Sequence, residues 1–349
     1  MAIDMFATRT MLAAIEQMRK PPRFLDGVIF KRQQPSLTEY IDIDVIKGGK
    51  VMAPFVSSTV QGRVIKKDNT STKSYKPPYI KLKDITTAED VLKRQPGEHV
   101  YYQGGQTPAQ RAQMQLGKDI KRFMDMVDFR IEYMCSTALD TGIVTANGDG
   151  ISMTFDFGMP AEHKLGVSDI SASWDDGGTA SDPIQDLRDL AHLIFQTSGV
   201  WPNVCVLSAE AAAEFMSHTK VANNNALSST VQINQGTLAP EMMDNGVTNI
   251  GYLKALNLNL YAYNEIVTDP DTGSDVRLMP AKKLWMGNTN IRNEIHFGGI
   301  KDLSAVSPLE YFPKTWIDND PSARILLLQS APLVALHQPD CWASVQVIT

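Results

Sequence analysis

The sequence predicts an α+β fold carrying a long extended appendage, and three observations predict it. Ile41, Ile43 and Val45 alternate with Asp42 and Asp44, and further on Ile80 and Leu82 alternate with Lys81 and Lys83. Period-two alternation of this kind argues half-buried strands. Ile120, Phe123, Met124, Val127, Ile131, Met134, Cys135 and Ala138 recur at three and four, the stripe of one long helix. From about residue 182 onward, short helical and strand patterns mix, as in an α+β domain.

The appendage lies between the first two strand patterns. Residues 61–78 hold only Val64, Ile65 and Tyr75 as bulky apolar side chains. Two strands joined by so polar a connection make a ribbon over about 39–85, broken at Gly48-Gly49 and stiffened by Pro77-Pro78 near an edge. An isolated ribbon is marginal in water and needs a surface to lie on. A neighbouring copy is the natural supplier.

Before the ribbon, Met11, Leu12, Ile15 and Met18 mark a short helix over 8–18, ended by Pro21-Pro22. An apolar patch at 24–30 and a basic stretch at 31–35 follow, so the opening reads as an arm. After the ribbon, Thr87 caps a short helix over 90–94 that Pro96-Gly97 stops. Thr107-Pro108-Ala109-Gln110 starts the long helix and Gly142 ends it; residues 108–141 span about 50 Å at 1.5 Å per residue, with Gly117 able to loosen the first third. Residues 147–150 read as a turn, 151–157 as a strand, and 168–181 as a loop and boundary. Asp182-Pro183 opens a helix that Gly199 closes, 204–207 is a buried strand, and Ser208 caps an Ala-rich helix through Phe215. Strand patterns follow at 256–267, around Leu278, at 283–286 and at 294–297; residues 324–347, interrupted by Pro332 and Pro339, give two or three more.

Composition bounds the class. The 349 residues suit roughly two domains, and 43% hydrophobic with 21% charged residues is ordinary for a globular chain. The net charge of −6 gives no case for a nucleic-acid-reading surface. Charge is uneven: residues 1–100 carry 17 Lys/Arg against 11 Asp/Glu, and residues 101–349 carry 16 against 28. A basic front and an acidic body could attract each other between copies, or the imbalance is chance on solvated faces. Cys135, Cys205 and Cys341 form no CxxC pair and fit reduced, buried thiols. With Asp4 early and no apolar run of about 18 residues, neither a signal peptide nor a membrane span is expected. The chain is expected to be soluble and made in the cytoplasm.

No catalytic constellation emerges, so the chain is not expected to be an enzyme, to carry a cofactor or to ligate a metal. His99, His163, His192, His218, His296 and His337 are scattered, without HExxH or a pair at ligand spacing; His192 reads as a packing residue. There is no GxSxG elbow. Lys47-Gly48-Gly49-Lys50 is followed by Val51 rather than the Ser/Thr and helix of a P-loop, and reads as a glycine turn or bulge. The acidic run 269–275 lacks the Glu that closes a calcium loop and reads as a hairpin turn. Sixteen methionines fit core filling or subunit packing.

An ordered set of short motifs nevertheless resembles the lambda-type major capsid proteins of tailed bacteriophages. They are Thr8-Arg9-Thr10-Met11-Leu12, Lys47-Gly48-Gly49-Lys50, Ala53-Pro54-Phe55-Val56, Lys76-Pro77-Pro78-Tyr79, Arg94-Gln95-Pro96-Gly97-Glu98, Thr141-Gly142, Phe155-Asp156-Phe157-Gly158 and Gln329-Ser330-Ala331-Pro332-Leu333. Each is weak alone, but their order and spacing cover nearly the whole chain. The resemblance implies the Hong Kong 97 fold: an N-terminal arm (1–38), an extended loop (39–85), a peripheral domain (86–181 and 302–338) with spine helix 108–141, and an axial domain (182–301 and 339–349).

It also implies hexamers and pentamers of this chain forming an icosahedral shell around packaged double-stranded DNA, maturing by expansion. Partners would be a scaffolding protein, separate because the chain begins almost directly with the arm, a portal and a decoration protein, with non-specific contact to DNA and none to membrane. Inter-subunit contacts are expected at Lys47, Lys50, Phe55, Arg63, Lys66, Lys67, Lys73, Lys76 and Tyr79. Some relatives cross-link a loop lysine to an asparagine; Lys66, Lys67, Lys73 and Asn319 carry no motif for it. An encapsulin-like compartment housing a cargo enzyme is the alternative reading.

Overall fold

Met11 and Ile15, four residues apart, form the buried stripe of the first helix, α1 (Thr8–Gln17), in the computed structural model of the chain. The structure describes residues 6–18, 23–47, 52–62, 64, 69–87, 89, 108–148, 150–176, 180–221, 231–233, 241–243, 246–270, 272–305, 307–320 and 322–349. The short helix expected at 90–94 lies outside them, as do Gly48 and Gly49.

The apolar patch of the expected arm, residues 24–30, gives four side chains to the core while Val28 stays exposed. Phe24, Leu25, Ile29 and Phe30 are all buried in one irregular turn, with Gly27 at φ +134°. The chain then forms β1 (Lys31–Arg32), β2 (Ile41–Lys47), β3 (Asn69–Tyr75) and β4 (Ile80–Thr87). The pairing differs from the one expected. β2 pairs antiparallel with β3, Ile41 opposite Tyr75 and Lys47 opposite Asn69, whereas β4 leaves the ribbon to pair with a late strand. The pattern at β3, Asn-Thr-Ser-Thr-Lys-Ser-Tyr, hides the strand because almost nothing on it is apolar. Its hydroxyls instead bond the aspartates across the ladder: Thr72 Oγ1 donates to Asp44 Oδ1 at 2.6 Å and Ser74 Oγ to Asp42 Oδ1.

Helix α2 (Pro108–Thr141) has the expected bounds and 34 residues. Gly142 ends it at φ +69°, its N–H donating to Ala138 O at 2.9 Å. The hairpin β5 (Ile143–Gly148) and β6 (Ile151–Asp156) and the short β7 (Lys164–Leu165) follow. The boundary loop is anchored by Trp174, fully buried and donating through Nε1 to Asp186 Oδ2 at 2.9 Å. Helix α3 (Pro183–Ser198) is capped by Asp182, which accepts from Gln185 N, and closed by left-handed Gly199. Next come β8 (Val204–Ser208), α4 (Ala209–Ser217) capped by Ser208, β9 (Val231–Ile233), β10 (Glu241–Met243), β11 (Val247–Leu253) and β12 (Leu258–Tyr263). A hairpin of β13 (Ile266–Thr268) and β14 (Asp275–Arg277) confirms the acidic run between them as a turn. The chain closes with β15 (Lys283–Gly287), β16 (Asn293–Phe297), β17 (Phe312–Asn319), β18 (Ser322–Ser330), β19 (Pro332–Leu336) and β20 (Trp342–Gln346).

These strands build an eight-stranded sheet in the order β10-β11-β12-β8-β15-β20-β7, with β9 also on β11. Alternation assigns its two faces. Val204, Val206, Tyr263, Trp285 and Trp342 enter the core that contains α2, the ribbon root and residues 24–30. Cys205, Leu207, Leu260, Met286 and Val345 face α3 and α4. Asp140, near the end of α2, fastens helix to sheet: Lys283 Nζ and Ser344 Oγ both donate to its Oδ1, at 2.8 and 2.7 Å. Two smaller sheets complete the body, β17-β18-β4 and β1-β16-β19. Helix α1 lies on β17, where Thr315 Oγ1 donates to Phe6 O at 2.9 Å. All three cysteines are free and buried.

Candidate assembly surfaces

The ribbon has a root and a tip of opposite character. At the root, Ile41, Ile43 and Val45 are buried in the chain's own core, so this part needs no neighbour. Tyr75 sits beside the β5–β6 hairpin, edge-on to Phe155 and Phe157, and its hydroxyl donates to Asp156 O at 3.0 Å. Lys73 Nζ donates to the same carbonyl at 3.0 Å. Glu39 lies between Lys76 and Lys301, each Nζ 2.7 Å from Oε1. Their hydrogen bonds, Lys301 first, hold the Glu39 carboxyl down at about 2. Tyr79 Oη donates to Gln329 Oε1 at 2.7 Å and accepts from Lys301 N at 3.1 Å.

Three of the expected contact residues, Lys73, Lys76 and Tyr79, are therefore engaged within this chain. Phe55 is the opposite: it is 103% exposed, with Met52 at 87% and Val64 at 94% nearby. Val56 and Val60 are exposed as well. Exposed apolar side chains in such number are unusual for a solvated loop. Lys50, Arg63, Lys66 and Lys67 lie outside the described residues, and of Lys47 only the backbone is described, in β2. Asn319 closes the β17–β18 hairpin opposite Ser322. On the body, Leu303 and the β17 residues Trp316 and Ile317 are also exposed.

A buried polar network joins the opening segment to α2. The Glu132 carboxylate accepts from Leu25 N at 2.8 Å, Asp26 N at 2.9 Å and Tyr263 Oη at 2.9 Å. Burial pushes this carboxyl up to about 7, against those three donors. One turn earlier, Asp128 accepts from Arg32 Nη2 at 2.7 Å and from the Tyr311 hydroxyl; Arg32 also reaches Asp26 and Glu310. Two acids four apart inside an apolar helical stripe were the sequence signal for this network. His192 is exposed, its ring edge-on to Trp201 at 5.3 Å, so it packs on the surface rather than inside.

A long helix crossing a mixed sheet, with a ribbon carried out from one side, defines the class of Hong Kong 97-type shell subunits. The putative capsid protein of a prophage of Escherichia coli CFT073 superposes with TM-score 0.71 at 22% identity, over 97% of this chain and 98% of that one. A phage-related protein of Bordetella bronchiseptica superposes with TM-score 0.54 at 14% identity, over 96% and 94%. In sequence, the chain is 28% identical to the major capsid protein of Escherichia phage lambda and 27% identical to that of Escherichia phage N15, in each case over 99% of this chain and all of the relative. The family model of phage major capsid protein E matches residues 7–347, and the chain belongs to that family. It is a major capsid protein, a structural subunit of the phage head rather than an enzyme, and it associates with copies of itself. This assignment favours the phage head over an encapsulin-like compartment.

Proposed function

We propose that the tip of the ribbon, around residues 52–64, lies on a neighbouring subunit, and that repetition of this grip holds hexamers and pentamers in an icosahedral shell around double-stranded DNA. The observation that carries the reading is the contrast between the pinned root and the bare apolar tip. Burying a side chain such as Phe55 against a neighbour contributes about 1.5–3 kcal/mol, modest once but large when each subunit both gives and receives. The division into arm (1–38), extended loop (39–85), peripheral domain (86–181 and 302–338) and axial domain (182–301 and 339–349) belongs to the same proposal. So do a scaffolding protein, a portal and a decoration protein as partners, and non-specific contact with DNA. The acidic balance of residues 101–349 suits a container whose wall does not hold its contents tightly.

The test is a double substitution at the tip, Phe55→Asp with Val64→Asp. Circular dichroism and thermal melting of the subunit stay unchanged, and electron microscopy finds capsomers and shells lost. Normal shells from the double variant would refute the grip.

A further inference from the structure

Two residues of β16 and a third some forty residues later converge beside the ribbon root. In the β16–β19 pair, Glu294 stands opposite Ala335, and the chain continues so that His337 N donates to Arg292 O at 3.3 Å. Side chains two apart on a strand share a face. Glu294, His296 and His337 therefore project together. Glu294 Oε2 is 3.3 Å from His296 Nε2 and 3.2 Å from His337 Nε2, and all three ligand atoms lie within 4.8 Å of one another.

These atoms are buried, and none has a hydrogen-bond partner. Glu294 is 7% exposed and His337 2%. The three atoms face one another at ion-pair distance without hydrogen-bond geometry, and burying a carboxylate oxygen and two ring nitrogens without hydrogen bonds is costly. The surroundings prime each for a cation. His337 Nδ1 lies 2.8 Å from Asp44 O, and a carbonyl only accepts, so Nδ1 carries a hydrogen and Nε2 is the nitrogen turned to the shared centre. A backbone carbonyl behind the ring is how proteins orient a metal-binding imidazole. Arg292 Nε donates to Glu294 Oε1 at 2.8 Å, leaving Oε2 for the shared centre.

We propose that Glu294, His296 and His337 form a site for a zinc-like divalent transition metal, with water completing a tetrahedron. Two imidazole nitrogens and one carboxylate oxygen suit zinc better than calcium or magnesium, which take oxygen ligands. Donors bonded at about 2.0–2.1 Å to a tetrahedral zinc stand about 3.3 Å apart, which both distances to Glu294 match. Because His337 holds the carbonyl of Asp44 in β2, the ion stiffens the joint where the ribbon leaves the body.

The experiment uses the tag-free full-length chain, stripped with chelator and titrated with zinc chloride. The expected result is one equivalent bound per chain at micromolar zinc, with affinity falling at least about 10–100-fold in His337→Gln and in Glu294→Gln. Substoichiometric uptake overturns the proposal, and so does unchanged uptake by the double variant His296→Gln with His337→Gln. Should a variant misfold, cobalt(II) added to the unaltered chain decides: intense tetrahedral visible bands support the site, and a weak octahedral spectrum rejects it.

Discussion

Tyr75 meets Phe155 edge to face, ring centroids 5.3 Å apart and planes at 80°. This contact ties the return strand of the ribbon to the hairpin that follows the long helix, so the ribbon leaves the body from a fixed point. Tyr75→Ala loses the aromatic contacts and the bond to Asp156 O, and destabilises the unassembled subunit by about 1–3 kcal/mol. Tyr75→Phe keeps the packing and costs about 1 kcal/mol. Urea denaturation measures both. An effect of Tyr75→Ala within about 0.5 kcal/mol would show that the root is not anchored there.

Glu132 makes subunit stability depend on pH in a definite direction. Its folded-state value of about 7 lies above the ordinary 4.5 because burial disfavours the charged form. Its contribution is therefore fully present below about 4.5 and is lost as pH rises through about 7. The shift corresponds to something on the order of 3 kcal/mol. Glu132→Gln is expected to flatten the wild-type fall in melting temperature between pH 5 and pH 8, although the amide serves the three donors less well. A variant with the wild-type slope would assign the pH dependence elsewhere.

Gly142 is fixed by geometry as well as by conformation. A Cβ there would meet Met159 Cβ at 2.4 Å, and φ is +69°. Gly142→Ala adds left-handed strain of about 1–2 kcal/mol to an overpacking cost of about 1–3 kcal/mol. Thermal melting of Gly142→Ala is expected to show a loss well beyond that of Gly148→Ala, where a Cβ meets nothing within 4 Å.

Much of the body was legible because its periodicity is local. Helix α2 shows its stripe and its glycine stop within its own residues, and β8 is a buried run between a turn and a serine cap. The ribbon's pairing was not legible, since β3 is polar on both faces and its partner is chosen by hydroxyl–aspartate bonds. Nor was the burial of residues 24–30, because the groups that accept their amides sit on α2, far along the chain. The expected contact residues were chosen by position in the ribbon, and position does not separate root from tip: Lys73 and Lys76 are spent on Asp156 and Glu39, whereas Phe55 is bare. His337 meets Glu294 and His296, which share one face of β16, only through the register of β16 with β19.

The most direct test of the grip is accessibility at the tip. Ala53 is exposed, lies two residues before Phe55, and can carry a thiol while the three native cysteines stay buried. Ala53→Cys subunits are labelled with a maleimide before and after assembly. The account predicts fast labelling of free subunits and strong protection in intact shells. Equal labelling in both states would contradict it.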